Sequence, residues 1–99
     1  MSERAPLPCP EMQDIREQID ALDKRLVALL AERQKLIAAA GKVKPSRDMV
    51  RDEARIEEVI ALVLAEAETA GLAGEIAEPV WRQLLERSIA YEYGVCDKR

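Results

Sequence analysis

Residues 15–44, IREQIDALDKRLVALLAERQKLIAAAGKVK, decide the fold. Apolar residues recur in steps of four and three, at Ile15, Ile19, Leu22, Leu26 and Leu29, which is the spacing of one face of an α-helix. The next position on that stripe is Arg33, after which the stripe resumes with Leu36, Ala40 and Val43. A helix that buries this face buries the Arg33 guanidinium too, and a buried cation requires an anionic partner, from the protein or from a ligand.

Outward from this stretch, the helix is expected from about Glu11 to about Lys44, with no proline in its interior and Pro45 closing it. At 1.5 Å per residue it would be ~50 Å long. A compact globule of this size has a radius of gyration near ~13 Å. A straight helix 1 would therefore overhang its own domain, and an apolar stripe on the overhang calls for a partner. A homodimer is the simplest answer.

Upstream, Pro6, Pro8 and Pro10 mark residues 1–9 as a loose tail, and residues 10–99 form the single helical domain. Downstream, Lys44–Met49 reads as a polar loop and helix 2 as about Val50–Ala70, with Ile56, Val59, Ile60, Val63 and Ala67 on one face. Gly71 followed by Leu72 reads as a C-terminal cap. Helix 3 starts within Ala73–Pro79, because Pro79 suits only a first turn, and buries Trp81, Leu84, Leu85, Ser88, Ile89 and position 92. The predicted architecture is all-α, three helices per chain, intertwined into a homodimer by a long helix 1.

Composition agrees with helices. Apolar residues make up 48% of the 99, charged residues 34%, and aromatics 3% with no Phe, so Leu, Ala, Ile and Val carry the core. A net charge of −4 argues against nucleic acid or an anionic membrane as a partner, and gives cations on buried faces more weight. No stretch is long enough to span a membrane, and no signal peptide is visible. Cys9 and Cys96 lack metal or redox spacing and there is no His, so no metal is expected and both thiols read as reduced in a cytoplasmic protein.

Polar residues interrupt all three apolar faces. Lys44, eleven residues after Arg33, faces within ~20° of it at a height of ~16 Å, so both long side chains can converge on a small dianion. Arg16 lies ~25 Å from Arg33 along the helix and ~100° around it, too far to share such a ligand within one subunit. An antiparallel copy of helix 1 would bring Arg16 of one chain to the Arg33–Lys44 region of the other. Asp52 and Arg55 extend the helix 2 face into its first turn, and Ser88 and Glu92 prolong the helix 3 face.

Each has a plainer reading. Arg16 can be a solvated partner of Glu17 or Asp20, and Arg33 can form a structural ion pair with Asp52 or Glu92. Lys44 suits a helix C-terminus, Ser88 is a small packing residue, and Glu92 can reach water at a helix end. With Arg33 locked in an ion pair, the chain would be a non-catalytic helical dimerisation module.

With these residues in place, about residues 12–93 resemble the all-helical chorismate mutase family. The resemblance rests on the stretch quoted above, on VRDEARIEEVI (residues 50–60), and on the spaced Ser88 and Glu92. It implies a dimer of three-helix chains woven around helix 1, with two shared sites and no cofactor. The implied reaction is the Claisen rearrangement of chorismate to prephenate, a pericyclic step needing no nucleophile or metal. By similarity, Arg33 and Arg16 of the partner subunit grip the two carboxylates, and Lys44 donates to the ether oxygen. Ser88 supports a carboxylate, and Asp52 and Arg55 border the ring hydroxyl side.

Two departures stand out. The well-known bacterial form has Gln at position 92, donating to the ether oxygen; an ionised Glu92 cannot donate, so it must be protonated or neutralised by Lys44. Fungal members resemble this chain in carrying Glu there. Ile56 stands where bacterial mutases place a Glu that holds the ring hydroxyl, and the Lys44–Arg55 interval is one residue shorter. In those respects the chain resembles isochorismate pyruvate lyases, which eliminate pyruvate to give salicylate; the rival enzyme readings are such a lyase or a mutase acting on an amino-substituted chorismate. Ser88 and Glu92 tilt the reading back to chorismate mutase.

Overall fold

The structure, a computed structural model, describes residues 9–99. Of the tail expected over residues 1–9, all but the exposed Cys9 lies outside the described residues. Three α-helices follow in order: α1 (Pro10–Val43), α2 (Glu53–Ala70) and α3 (Gly74–Asp97), with one 3₁₀ turn at Arg47–Met49 between the first two. Among the described residues there is no strand, so the all-α expectation holds.

Local chemistry accounts for the boundaries. Pro10 opens α1, where a missing N–H costs nothing, and the Gln13 N–H makes the first helical bond, to the Cys9 carbonyl (2.9 Å). The Lys44 N–H closes the helix on the Ala40 carbonyl (3.1 Å), and Pro45 stops it. The Asp52 side chain caps α2 by accepting from the Arg55 N–H (3.0 Å), so the helix starts three residues later than the apolar pattern suggested. Gly71, at φ 79°, takes the left-handed position after α2. Its N–H and that of Leu72 return to the Glu68 and Ala67 carbonyls, the paired bonds of a Schellman cap.

Helix α3 starts at Gly74, within the expected range, but Pro79 is its sixth residue, beyond the first turn to which the sequence reading confined it. The helix forgoes the bond from position 79 to the Glu75 carbonyl. Packing of its apolar face carries it through, with Ala77 only 1% exposed just before the proline.

The residues divide into two compact units, the first ending at Arg33 and the second comprising Gln34–Arg99. In the first unit the stripe residues Ile15, Ile19, Leu22, Leu26 and Leu29 are 48–59% exposed, so the described residues leave much of this face uncovered. Its polar side carries i,i+4 hydrogen bonds, from Gln13 to Glu17 and from Gln18 to Asp14. Among the described residues, no helix is long and apolar enough to cross a membrane.

In the second unit α2 and α3 form an antiparallel hairpin. Ile56, Ile60 and Leu85 are buried between them, with Val59, Leu64, Trp81 and Ile89 packed around. Two guanidinium clamps edge this core. Arg51 holds both oxygens of Glu86 (3.0 and 2.8 Å), and Arg82 holds both of Glu57 (3.0 and 3.1 Å). Lower numbers pair with higher ones, which is the antiparallel register. The end of α1 meets α3 at Gly41, which is buried. A Cβ there would lie 3.1 Å from the Glu92 carbonyl oxygen and 3.2 Å from both Glu92 Cγ and Val95 Cβ. Glycine suits this approach, because a Cβ would require α3 to give by a few tenths of an ångström.

Hydrogen bonds from Arg82 and Arg51 hold the Glu57 and Glu86 carboxyls below the ordinary carboxylate value of 4.5. Both groups bind protons less readily folded than unfolded, so their contribution to stability is complete above that value and is lost as pH falls through the lowered ones. Thermal midpoints measured from pH 7 to pH 3 should fall over this acid range, and less steeply in the Glu57→Gln/Glu86→Gln double variant. An equally steep fall in the double variant would assign the acid sensitivity to other groups. Gly41→Ala should lower the urea midpoint, because crowding a backbone carbonyl costs about 1–3 kcal/mol, more than the ~1 kcal/mol that alanine gains in a helix. A raised midpoint would mean that α3 gives way.

Candidate active site

Helix α3 carries a carboxyl group into the packed interior, because Glu92 continues the face of Trp81, Leu85 and Ile89 by one more turn. Glu92 is 5% exposed and is the buried charged residue among those described. The reading in which it reaches water at a helix end is therefore overturned: helix α3 continues to Asp97, and Gly41 closes over Glu92 from α1.

Lys44, just past the end of α1, supplies the counter-charge. Its Nζ lies 2.6 Å from Glu92 Oε2. At this distance the ammonium and the carboxylate oxygen form a close, charge-assisted ion pair. The Lys44 ammonium also donates to the Val50 carbonyl (3.4 Å), a long bond. An ammonium has three donors, so Lys44 keeps one for a ligand. Its side chain is 29% exposed, open enough for a small molecule to reach. A buried carboxyl beside a reachable cation is costly to maintain, and such groups concentrate at functional sites.

The other expected residues are distributed around this pair. Ser88 lies one turn before Glu92 on α3 and is half-buried. Asp52 and Arg55 sit at the start of α2, both exposed. The Asp52 carboxylate caps the helix, and the Arg55 guanidinium pairs with Glu58 (2.5 Å). Ile56 belongs to the hydrophobic core, so position 56 offers no polar group. Arg16 and Arg33 belong to the first unit, Arg16 exposed and Arg33 half-buried. Within the second unit, the structure brings together Lys44 and Glu92, with Ser88 on the same helix face.

Sequence reasoning missed several supporting groups. The Val50 carbonyl that receives Lys44 is backbone and leaves no trace in residue type. Arg47 pairs with Asp97 (2.8 Å) and lies over the Tyr93 ring, 4.3 Å from its centroid. Fifty positions separate Arg47 from Asp97, and no helical period links them. The closeness of Gly41 to Glu92 was equally hidden, since a glycine near a helix end reads first as a break.

Chemically, the pair can polarise an oxygen through the ammonium, and through the carboxyl when it carries a proton. It can hold an anion near Lys44, and it performs no covalent step by itself.

The chain is similar to known proteins. The family model for chorismate mutase type II matches residues 15–93. The T-protein of Haemophilus influenzae is 33% identical over 90 residues, 82% of this chain and 22% of that protein. The T-protein of Enterobacter agglomerans is 34% identical over 83 residues, 83% of this chain and 22% of the relative. The bifunctional chorismate mutase/prephenate dehydratase of Escherichia coli (strain K12) is 45% identical over 53 residues, 48% of this chain and 14% of that protein. The chain thus spans about a fifth of the length of the T-proteins it matches. Because the family model matches residues 15–93, well over half of the chain, and the fold is all-helical, the chain belongs to the chorismate mutase type II family.

Proposed function

We propose that this chain is a chorismate mutase, rearranging chorismate to prephenate as a homodimer with two shared sites. It works in the cytoplasm without cofactor or metal, on a small dianionic substrate and with neither nucleic acid nor membrane as partner. The observation that carries the reading is the Lys44–Glu92 pair, a reachable ammonium against a buried carboxyl inside a chain of this family.

The rearrangement breaks one C–O bond and forms one C–C bond within a single molecule, so the protein transfers no group. Its task is to hold the reactive conformer and to stabilise negative charge growing on the ether oxygen. Lys44 donates to that oxygen and to a carboxylate. Glu92, when protonated, donates to the same oxygen, with the Lys44 ammonium neutralising it otherwise. Arg33 and Arg16 of the partner subunit hold the substrate carboxylates through charge-assisted contacts, Ser88 supports one of them, and Asp52 and Arg55 border the ring. Support for the dimer comes from the uncovered Ile15–Leu29 stripe, which a second α1 would cover.

A second reading, isochorismate pyruvate lyase, is favoured by one feature: Ile56 is buried in the core and offers no group to the ring hydroxyl. Purified protein given chorismate and isochorismate separates the two. Prephenate as the main product is expected; salicylate would transfer the chain to the lyase reading, and neither product would leave the dimerisation module.

Shared sites predict complementation. Arg16→Ala and Lys44→Ala chains, each inactive alone, should recover about a quarter of wild-type activity when unfolded and refolded together, because half the dimers are mixed and each holds one intact site. Mixed dimers without activity would rule the shared site out. A further expectation concerns Glu92→Gln, whose amide N–H donates to the ether oxygen, so the variant should keep kcat within about tenfold of wild type. A loss of a hundredfold or more would remove Glu92 from the groups that donate to that oxygen.

A further inference from the structure

Lys44 follows the last residue of α1, where a chain leaving a helix is ordinarily free to move, yet its ammonium has to meet a reacting oxygen with sub-ångström accuracy. A closed circuit of contacts holds it. The Lys44 ammonium lies against Glu92 Oε2 (2.6 Å) on α3 and donates to the Val50 carbonyl (3.4 Å). The Val50 N–H donates back to the Arg47 carbonyl (3.1 Å), and the Val50 side chain is buried. The Arg47 side chain then returns to α3, its Nε donating to Asp97 Oδ1 (2.8 Å) and its guanidinium resting on the Tyr93 ring. Tyr93 directly follows Glu92. The circuit therefore leaves α3 at Glu92, passes through Lys44, Val50 and Arg47, and re-enters α3 at Tyr93 and Asp97.

We propose that Arg47 is a positioning residue for the reaction, fixing the Lys44 ammonium by clamping the 3₁₀ turn to the same helix that carries Glu92. The inference rests on the proposed mutase activity for its consequence in turnover, but not for the clamp itself. The Arg47–Asp97 pair is well exposed, with side-chain exposures of 62% and 48%, so it adds little to global stability. Its value is geometric: it removes freedom from a turn whose carbonyl receives the ammonium. Guanidinium suits this post better than ammonium, since one planar group both stacks on Tyr93 and donates edge-on to Asp97.

Two measurements on Arg47→Ala test this. In the first, an amine-acylating reagent at low dose, read by mass spectrometry, compares Lys44 with the exposed Lys42 as an internal reference. The Lys44/Lys42 reactivity ratio should rise several-fold in Arg47→Ala, with Arg47→Lys in between, because the freed ammonium leaves its carboxylate. This readout needs no activity, so it holds its meaning if the mutase reading fails. In the second, kcat should fall about tenfold with KM changing less than twofold, the pattern of a group that acts in the transition state through Lys44. Arg47→Lys should recover part of it. Asp97→Asn opens the circuit at its other end and should shift both readouts in the same direction, which covers the case of an Arg47→Ala chain that does not fold. An unchanged reactivity ratio in the folded variants would overturn the clamp. A raised ratio with unchanged kcat in an active enzyme would overturn its link to turnover.

Discussion

A buried carboxyl held beside a lysine ammonium organises the second unit of this protein. Desolvating Glu92 carries a cost that only a close counter-charge offsets, and Lys44 supplies it at 2.6 Å. For Lys44 to stand there, α1 has to end where it does, and α1 and α3 have to approach closely enough to exclude water from Glu92. Gly41 allows that approach, with the Glu92 carbonyl oxygen and Cγ 3.1 and 3.2 Å from where a Cβ would stand. Pro45 ends the helix just after Lys44, so the lysine lies at the junction of helix and turn. Helix length, one glycine and one proline thus serve a single electrostatic contact. The apolar packing of Ile56, Ile60 and Leu85 provides the hairpin on which it is built.

Much of this was legible in the sequence, for physical reasons that can be named. The helix periods of Ile15–Leu29, of Ile56–Ala67 and of Trp81–Ile89 are repeated signals, each counted over several turns, and they gave all three helices and their inward faces. Gly71–Leu72 was readable because few residues tolerate a positive φ. Glu92 was readable as a charge on an apolar face, but not its depth, since burial near a helix end depends on what another helix brings over it. Asp52 shows the opposite limit. Its residue type suits both a helix cap and a binding site, and the hydrogen bond to the Arg55 N–H is the structural half of that ambiguity. Pro79 was held too strictly to the first turn, because intrinsic preference was not weighed against the tertiary packing around Ala77. The contacts of Arg47, Arg51 and Arg82 were out of reach, joining residues 25 to 50 positions apart that share no period.

The two units spend their apolar residues differently. In Gln34–Arg99 the hairpin buries its own face, and its guanidinium clamps lie at the rim, where they define register more than they add stability. In the first unit the apolar face of α1 stays about half exposed among the described residues. Isolated helices derive little stability from propensity alone, so a stripe of this kind owes its helical state to whatever it packs on. The proposed second copy answers that need and brings Arg16 to a site whose Lys44 and Glu92 are already assembled.

The short connection at residues 71–73 also sets a clock. Helices α2 and α3 meet across a turn of a few residues, so most contacts of the hairpin join neighbours in the chain, and such low-contact-order pairings form within microseconds to milliseconds. Nothing in that step requires a second molecule. Covering the α1 stripe by another chain is a bimolecular event, whose speed scales with protein concentration. Under the proposed dimer, refolding would therefore show two kinetic orders: a fast, dilution-independent phase that buries the Ile60 region, and a slower one that stretches out as the protein is diluted.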